Sequence, residues 1–272
     1  MKYFKLLLVL FTSIAISMPH STYAQSALHV SSPPIVKINQ YYILFTYPTS
    51  PYVDRNNRLL VPLRSLSDLL GAKVAYDAAT KQATIQLDGH QLVLTANSKT
   101  AIVDQQTKTM DTVPVQQYNA LFVPLKVMID YLAVNGAYHA ETKTIELNDP
   151  KYMKNTPRLT EETQDRANLD ENKNAFAVTS FQINVGKSNK NGVWTGSFTY
   201  KAENITGNTI EQGKEDVHCV ILLTNGVSQA EVYNYMREKH KAVKAGQSIT
   251  KTQKLIGNAD LAYIIIKPYA VK

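Results

Sequence analysis

The sequence predicts an α+β fold: a duplicated strand-helix-hairpin domain over residues 33–149, a linker over 150–174, and a C-terminal antiparallel β-sandwich of immunoglobulin-like outline over 175–272. Three observations predict it. A stretch of roughly thirty residues recurs at an offset of 62 positions, a polar and charged stretch follows, and beyond that stretch apolar residues alternate at the period of strands.

The repeat organises the first domain. Asn57 to Leu87 aligns without gaps with Asn119 to Asp149, and about a dozen of roughly thirty positions are identical. Among them are Val61-Pro62-Leu63 with Val123-Pro124-Leu125, Asp68 with Asp130, and Tyr76 with Tyr138. Each copy reads as a short apolar strand, Leu59 to Val61 or Leu121 to Val123, running into a proline at the first helical position, where a missing N–H costs nothing. The helix that follows carries Leu63, Leu66, Leu69 and Leu70 in one copy and Leu125, Met128, Ile129 and Leu132 in the other, spaced to give one apolar face. Gly71 supplies a left-handed stop to the first helix. The second copy has Ala133 there and Asn135-Gly136 later, so its helix is expected to end a few residues further on. A strand around Tyr76 or Tyr138, a polar turn and an alternating strand complete each copy. Further strands are expected at Ile35 to Ile38, Tyr41 to Phe45, His90 to Thr95 and Ala101 to Val103.

Pro150 to Asn174 is polar and nearly free of apolar periodicity, which reads as an inter-domain linker. Past it, Ala175 to Val185, Val193 to Ala202, Val217 to Leu223, Gln247 to Leu255 and Leu261 to Ile266 read as strands separated by turn signals. Trp194 is read as a core residue. Ser228 to Lys241 admits two readings: Ser228 with Glu231 matches a helix capping box, while Glu231 to Met236 also suits a strand, the reading preferred here.

The first 24 residues place Lys2 and Lys5 ahead of an apolar run from Leu6 to Ile16 and end in Thr22-Tyr23-Ala24. This is the three-part pattern of a secretory signal peptide, and the run is short for a membrane span. A secreted, extracellular protein is therefore expected. The single cysteine, Cys219, lies in the apolar run Val217 to Leu223 and reads as a buried thiol; one cysteine admits no intrachain disulfide. The formal charge of +7 suits a surface that meets anionic wall polymers or lipid headgroups.

Taken together, Val36-Lys37-Ile38-Asn39, Arg58 to Arg64, Leu70 to Val74 and Thr80 to Ile85, with the weaker return at Phe122 to Lys126 and Thr142 to Ile145, resemble the copper amine oxidase N-terminal, or stalk, domain found in secreted proteins of Gram-positive bacteria. The resemblance covers a little under half of the chain. It implies an α+β accessory module and carries over no catalytic residue, because copper and the tyrosine-derived quinone of the oxidases belong to a separate domain. The residues agree. The six histidines, His20, His29, His90, His139, His218 and His240, are scattered and include no His-x-His pair, and the nearest match to an Asn-Tyr-Asp/Glu quinone site, Asn234-Tyr235-Met236, lacks the acid.

No nucleophile elbow, zinc-protease motif, P-loop, dinucleotide fingerprint or calcium loop occurs, so no catalytic, metal or cofactor-binding residue is assigned. Two basic sets are candidates for anion binding. Arg64 and Lys126 hold equivalent positions just after a helix start and read either as a paired anion site or as solvent-facing charges on buried aliphatic stems. Arg237, Lys239, Lys241 and Lys244 cluster beside His240, Tyr233 and Tyr235 and read as a phosphate-contacting patch or a solvated loop. The export signal argues against nucleic acid. The expected function is a non-catalytic binding or scaffolding module retained at the cell wall through anionic polymers. The alternatives are a protein-protein interaction or oligomerisation module and an unrecognised extracellular hydrolase.

Overall fold

The computed structural model describes residues 30–31, 34–45, 50–140, 142–154, 170–230 and 239–272. The expected signal peptide, most of the expected linker, and Arg237, Tyr233 and Tyr235 lie outside them. The architecture is mostly β rather than α+β, since strands hold 54% of the described residues and helices only 8%. The reason is local: each of the two described helices is two turns long, bounded by a proline on one side and a left-handed residue on the other.

Along the chain, β1 (Val30–Ser31) is followed by the hairpin β2 (Ile35–Ile38) and β3 (Tyr41–Phe45), and then by β4 (Tyr52–Val53) and β5 (Leu59–Pro62). Helix α1 (Leu63–Leu70) leads into a five-stranded antiparallel meander: β6 (Lys73–Asp77), β7 (Gln82–Leu87), β8 (His90–Thr95), β9 (Thr100–Val103) and β10 (Gln106–Thr109). The second copy runs through β11 (Val115–Gln117), β12 (Ala120–Pro124), α2 (Leu125–Tyr131), β13 (Gly136–His139) and β14 (Thr144–Leu147). The remainder is β15 (Glu171–Asn172), β16 (Phe176–Val185), β17 (Trp194–Asn204), β18 (Glu215–Leu223), β19 (Ser228–Ala230), β20 (Ser248–Gly257) and β21 (Leu261–Val271). The segment with two readings thus begins as a strand, and residues 231–238 lie outside the described ones.

The two copies meet strand to strand. In the sheet β11-β12-β5-β4, β5 and β12 are antiparallel, with Val61 opposite Val123. Pro62 and Pro124 end these strands and act as helix caps one residue before the expected position, at φ −67 and −62, values a proline ring holds in strand and helix alike. Gly71 closes α1 at φ 80. Contrary to expectation, α2 does not run on to Asn135. It stops at Tyr131, and Ala133 itself turns left-handed at φ 50, in register with Gly71.

The parts expected on either side of a linker share one sheet, in the order β13-β14-β2-β3-β21-β18-β19, with β15 also on β21. Strand β3 lies antiparallel to the C-terminal β21, with Ile43 opposite Ile265 and Leu44 opposite Ile264. Both faces of this sheet are buried, and the period-two alternation of strands divides its side chains between two cores. Val36, Ile38, Ile43, Val220, Leu222 and Ile265 join the helices and the meander on one side. Ile35, Tyr42, Leu44, Cys219, Ile221, Ile264 and Ile266 join the second sheet, β1-β16-β17-β20, on the other. Trp194 sits in this second core with its indole N–H donating to the Ala259 carbonyl at 2.7 Å. Residues assigned to a linker are packed at both ends. Tyr152 and Met153 are buried, the Met153 N–H donates to the Leu69 carbonyl at 2.6 Å, and Glu171–Asn172 pairs with β21.

Candidate functional site

The antiparallel register of β5 and β12 sends α1 and α2 away from opposite ends of the strand pair, since Pro62 stands opposite Phe122 and Pro124 opposite Leu60. Arg64 and Lys126 therefore do not converge. A cleft of about 530 Å³ opens at the start of α2, lined by Asn56, Asn57, Arg58 and Leu59 from the β4–β5 turn, Asp111, Pro124, Leu125, Lys126, Ile129 and Asp130 around the helix, and Tyr138 from β13. Arg64 is not among the lining residues.

Each helix pairs its basic residue with an acid one turn later. Lys126 donates to Asp130, and this hydrogen bond holds its ammonium above the usual lysine range. Asp68 follows Arg64 at the same spacing; its burial raises the carboxyl above the usual range and the Arg64 charge offsets part of that rise. The tip of the β4–β5 turn is fixed by Asp54, whose carboxylate accepts the backbone N–H groups of Asn56 at 2.8 Å and Arg58 at 2.9 Å.

The second candidate is the basic segment near the C-terminus. Lys239, Lys241 and Lys244 are exposed and have no carboxylate partner among the described residues. The segment is anchored at His240, whose Nδ1 lies 2.6 Å from the Glu215 carboxylate. Glu215, at the head of β18, has only 5% of its side chain exposed and also takes the Lys251 ammonium at 3.0 Å and the Val217 N–H at 2.6 Å. Sequence reasoning missed this centre. Its only trace is an acid at the edge of the apolar run Val217 to Leu223, and nothing in the chain's order relates that acid to His240 or to Lys251.

A third polar group joins the second copy of the repeat to the first hairpin. Lys37 on β2 donates to Glu146 on β14 at 3.1 Å, and His139 approaches the same carboxylate at 3.4 Å. Partial burial pushes the Glu146 carboxyl up, but the Lys37 hydrogen bond and charge, with His139, outweigh it and hold the group below the usual glutamate range. Beneath Lys37, burial drives the Tyr42 phenol up to about 12, against a backbone hydrogen bond at Val178 on β16.

The described histidines do not fit a copper ligand set. His90 pairs with Asp104 at 2.8 Å, His139 with Glu146, His218 with the Asp216 carbonyl at 3.0 Å, and His240 with Glu215. Among the described residues no three His, Cys, Asp or Glu side chains gather to hold a metal ion. Nor is any helix among them long and apolar enough to cross a membrane.

What the described residues define is a β-rich fold, with two helices supported on a sheet that runs into a second layered part. Residues 37–147, from β2 to the end of β14, match the model of the copper amine oxidase N-terminal domain. No curated protein matches the chain.

Proposed function

We propose that the protein is a non-catalytic, secreted binding module of duplicated stalk-domain and immunoglobulin-like sandwich parts, held at the cell wall by anionic polymer. One observation carries this reading: Lys239, Lys241 and Lys244 stand exposed, without carboxylate partners among the described residues, on a segment that the Glu215–His240 contact fixes to the sheet. A fixed row of ammonium groups meets a polyanion without first losing the freedom of a loose loop, so more of the Coulomb attraction survives as affinity. The match over residues 37–147 to an N-terminal domain, not a catalytic one, supports the non-catalytic part of the reading.

Co-sedimentation of the chain from Gln25 onward with purified Gram-positive cell wall, with and without teichoic acid and across a salt series, tests it. Binding is expected to fall steeply with salt, to fall with removal of teichoic acid, and to weaken in the triple variant Lys239→Gln/Lys241→Gln/Lys244→Gln. Absence of binding at low salt would overturn the reading in favour of a protein partner. Strand β10, exposed at every position and paired with β9 alone among the described residues, is the feature that supports that second reading.

A further inference from the structure

The cleft at the start of α2 is balanced in charge although the chain carries +7: Arg58 and Lys126 face Asp111 and Asp130. Lys126 and Asp130 engage each other. The guanidinium of Arg58 and the carboxamides of Asn56 and Asn57 engage no partner among the described residues, and the carboxylate of Asp111 acts on Lys126 through its charge without forming an ion pair among those residues. Ile129 is half-buried and lines the same cleft together with Leu59, Pro124 and Leu125, so the polar groups share it with apolar side chains.

The other copy shows that the fold does not impose this arrangement. At the equivalent places Ala120 stands for Arg58, Tyr118 for Asn56 and Ser67 for Ile129. Ser67 is fully buried, and Tyr76, the counterpart of Tyr138, donates its hydroxyl to Gln116 at 3.3 Å. One helix start is closed by its own chain, and the other is open and equipped with unengaged donors and acceptors.

We propose that the open cleft binds a short peptide segment bearing a cationic and an anionic side chain on either side of an apolar one. The planar guanidinium of Arg58 suits a carboxylate through two parallel N–H bonds, and Asp111 suits an ammonium. The two carboxamides each offer a donor and an acceptor, the complement of a peptide backbone, and the apolar lining takes the middle side chain. A volume of about 530 Å³ is in the range of such sites. A polyanion is the wrong ligand here, because Asp111 and Asp130 repel it; the site is therefore separate from the lysine-bearing segment near the C-terminus.

Titration of the full chain with the blocked tripeptides acetyl-Lys-Leu-Glu-amide and acetyl-Glu-Leu-Lys-amide, followed by calorimetry and by amide chemical shifts, tests the assignment. One of the two is expected to bind saturably, with shifts centred on residues 56–59 and 124–130. Arg58→Ala and Asp111→Ala should each weaken it at least tenfold, as should replacing the central leucine of the peptide by glycine. Asp111 is exposed and Arg58 half-buried, and circular dichroism checks that both variants fold. Failure of both peptides to saturate at millimolar concentration, shifts elsewhere on the protein, or equal binding of acetyl-Glu-Leu-Glu-amide would each overturn the proposal. The wall reading stands apart, since it is decided by co-sedimentation and by the lysine variant.

Discussion

Val61 and Val123, 62 positions apart in the chain and equivalent in the repeat, stand directly opposite each other across β5 and β12. The two copies are thus related by an approximate two-fold axis that passes between these side chains, both of which are buried in the first core. Residue-by-residue comparison of the copies becomes a controlled experiment, in which one backbone carries two sequences.

The helix ends provide the first comparison. Gly71 takes a left-handed conformation freely, whereas Ala133 holds φ 50 against its own Cβ. Ala133→Gly should therefore stabilise the protein by about 0.5–1 kcal/mol, and Gly71→Ala should destabilise it by about 1 kcal/mol or more. Thermal unfolding of the two variants checks the opposite signs; equal shifts in one direction would contradict the account.

Glu215 is a buried acid with two basic partners, so removing it leaves charge stranded. Glu215→Gln is expected to cost about 3 kcal/mol, because Lys251 then lies only 16% exposed without its counter-ion. The double variant Glu215→Gln/Lys251→Met should recover a large part of that loss. A double-mutant cycle in urea measures the coupling, and additive losses would show that the pair does not act as a unit.

The Lys37–Glu146 pair gives stability a defined acid limb. Glu146 titrates at a lower pH in the folded chain than its ordinary value of 4.5, so the unfolded chain takes up the proton first. The stabilisation is present above that ordinary value and is lost as pH falls through the lower folded one. Lys37→Met should lower stability by about 0.5–1 kcal/mol at neutral pH and flatten the decline below pH 4.5. Urea midpoints at pH 7 and across the acid range test both halves of the statement.

The shared sheet predicts one unfolding event. Ile265 is fully buried, faces Ile43 across β21 and β3, and belongs to the core that holds both helices. Ile265→Ala should cost about 2–5 kcal/mol and lower the melting of the whole chain as a single transition. A nick between residues 154 and 170 should leave the fragments associated on gel filtration. Separate transitions, or fragments that part without denaturant, would show two independent units.

The repeat made the helix starts, the hairpins and the turns legible, because each is set by residues close in sequence: Pro62 and Pro124, Gly71, the Asp77 to Lys81 turn. Strand alternation also identified Trp194 as core, and the apolar run Val217 to Leu223 did the same for Cys219. What was not legible is contact between distant segments. The run Val217 to Leu223 reads as buried on both faces, yet nothing in it says that its second face lies against the first half of the chain. For the same reason Lys126 was found without Arg58 or Asp111, since Arg58 reaches the cleft only through the pairing of β5 with β12. Arg64 was matched to Lys126 by position in the repeat, whereas the antiparallel register separates them.

The position of β21 also bears on the order of events in making the protein. Its partner β3 lies more than two hundred residues earlier in the chain, and β21 stands in the interior of the sheet, between β3 and β18. A nascent chain can form its local hairpins as they emerge, but it cannot close this sheet until residues 261–271 have been released. Loss of residues 261–271 would accordingly remove the middle of the sheet and leave β3 and β18 as exposed edges, a lesion for quality control to recognise.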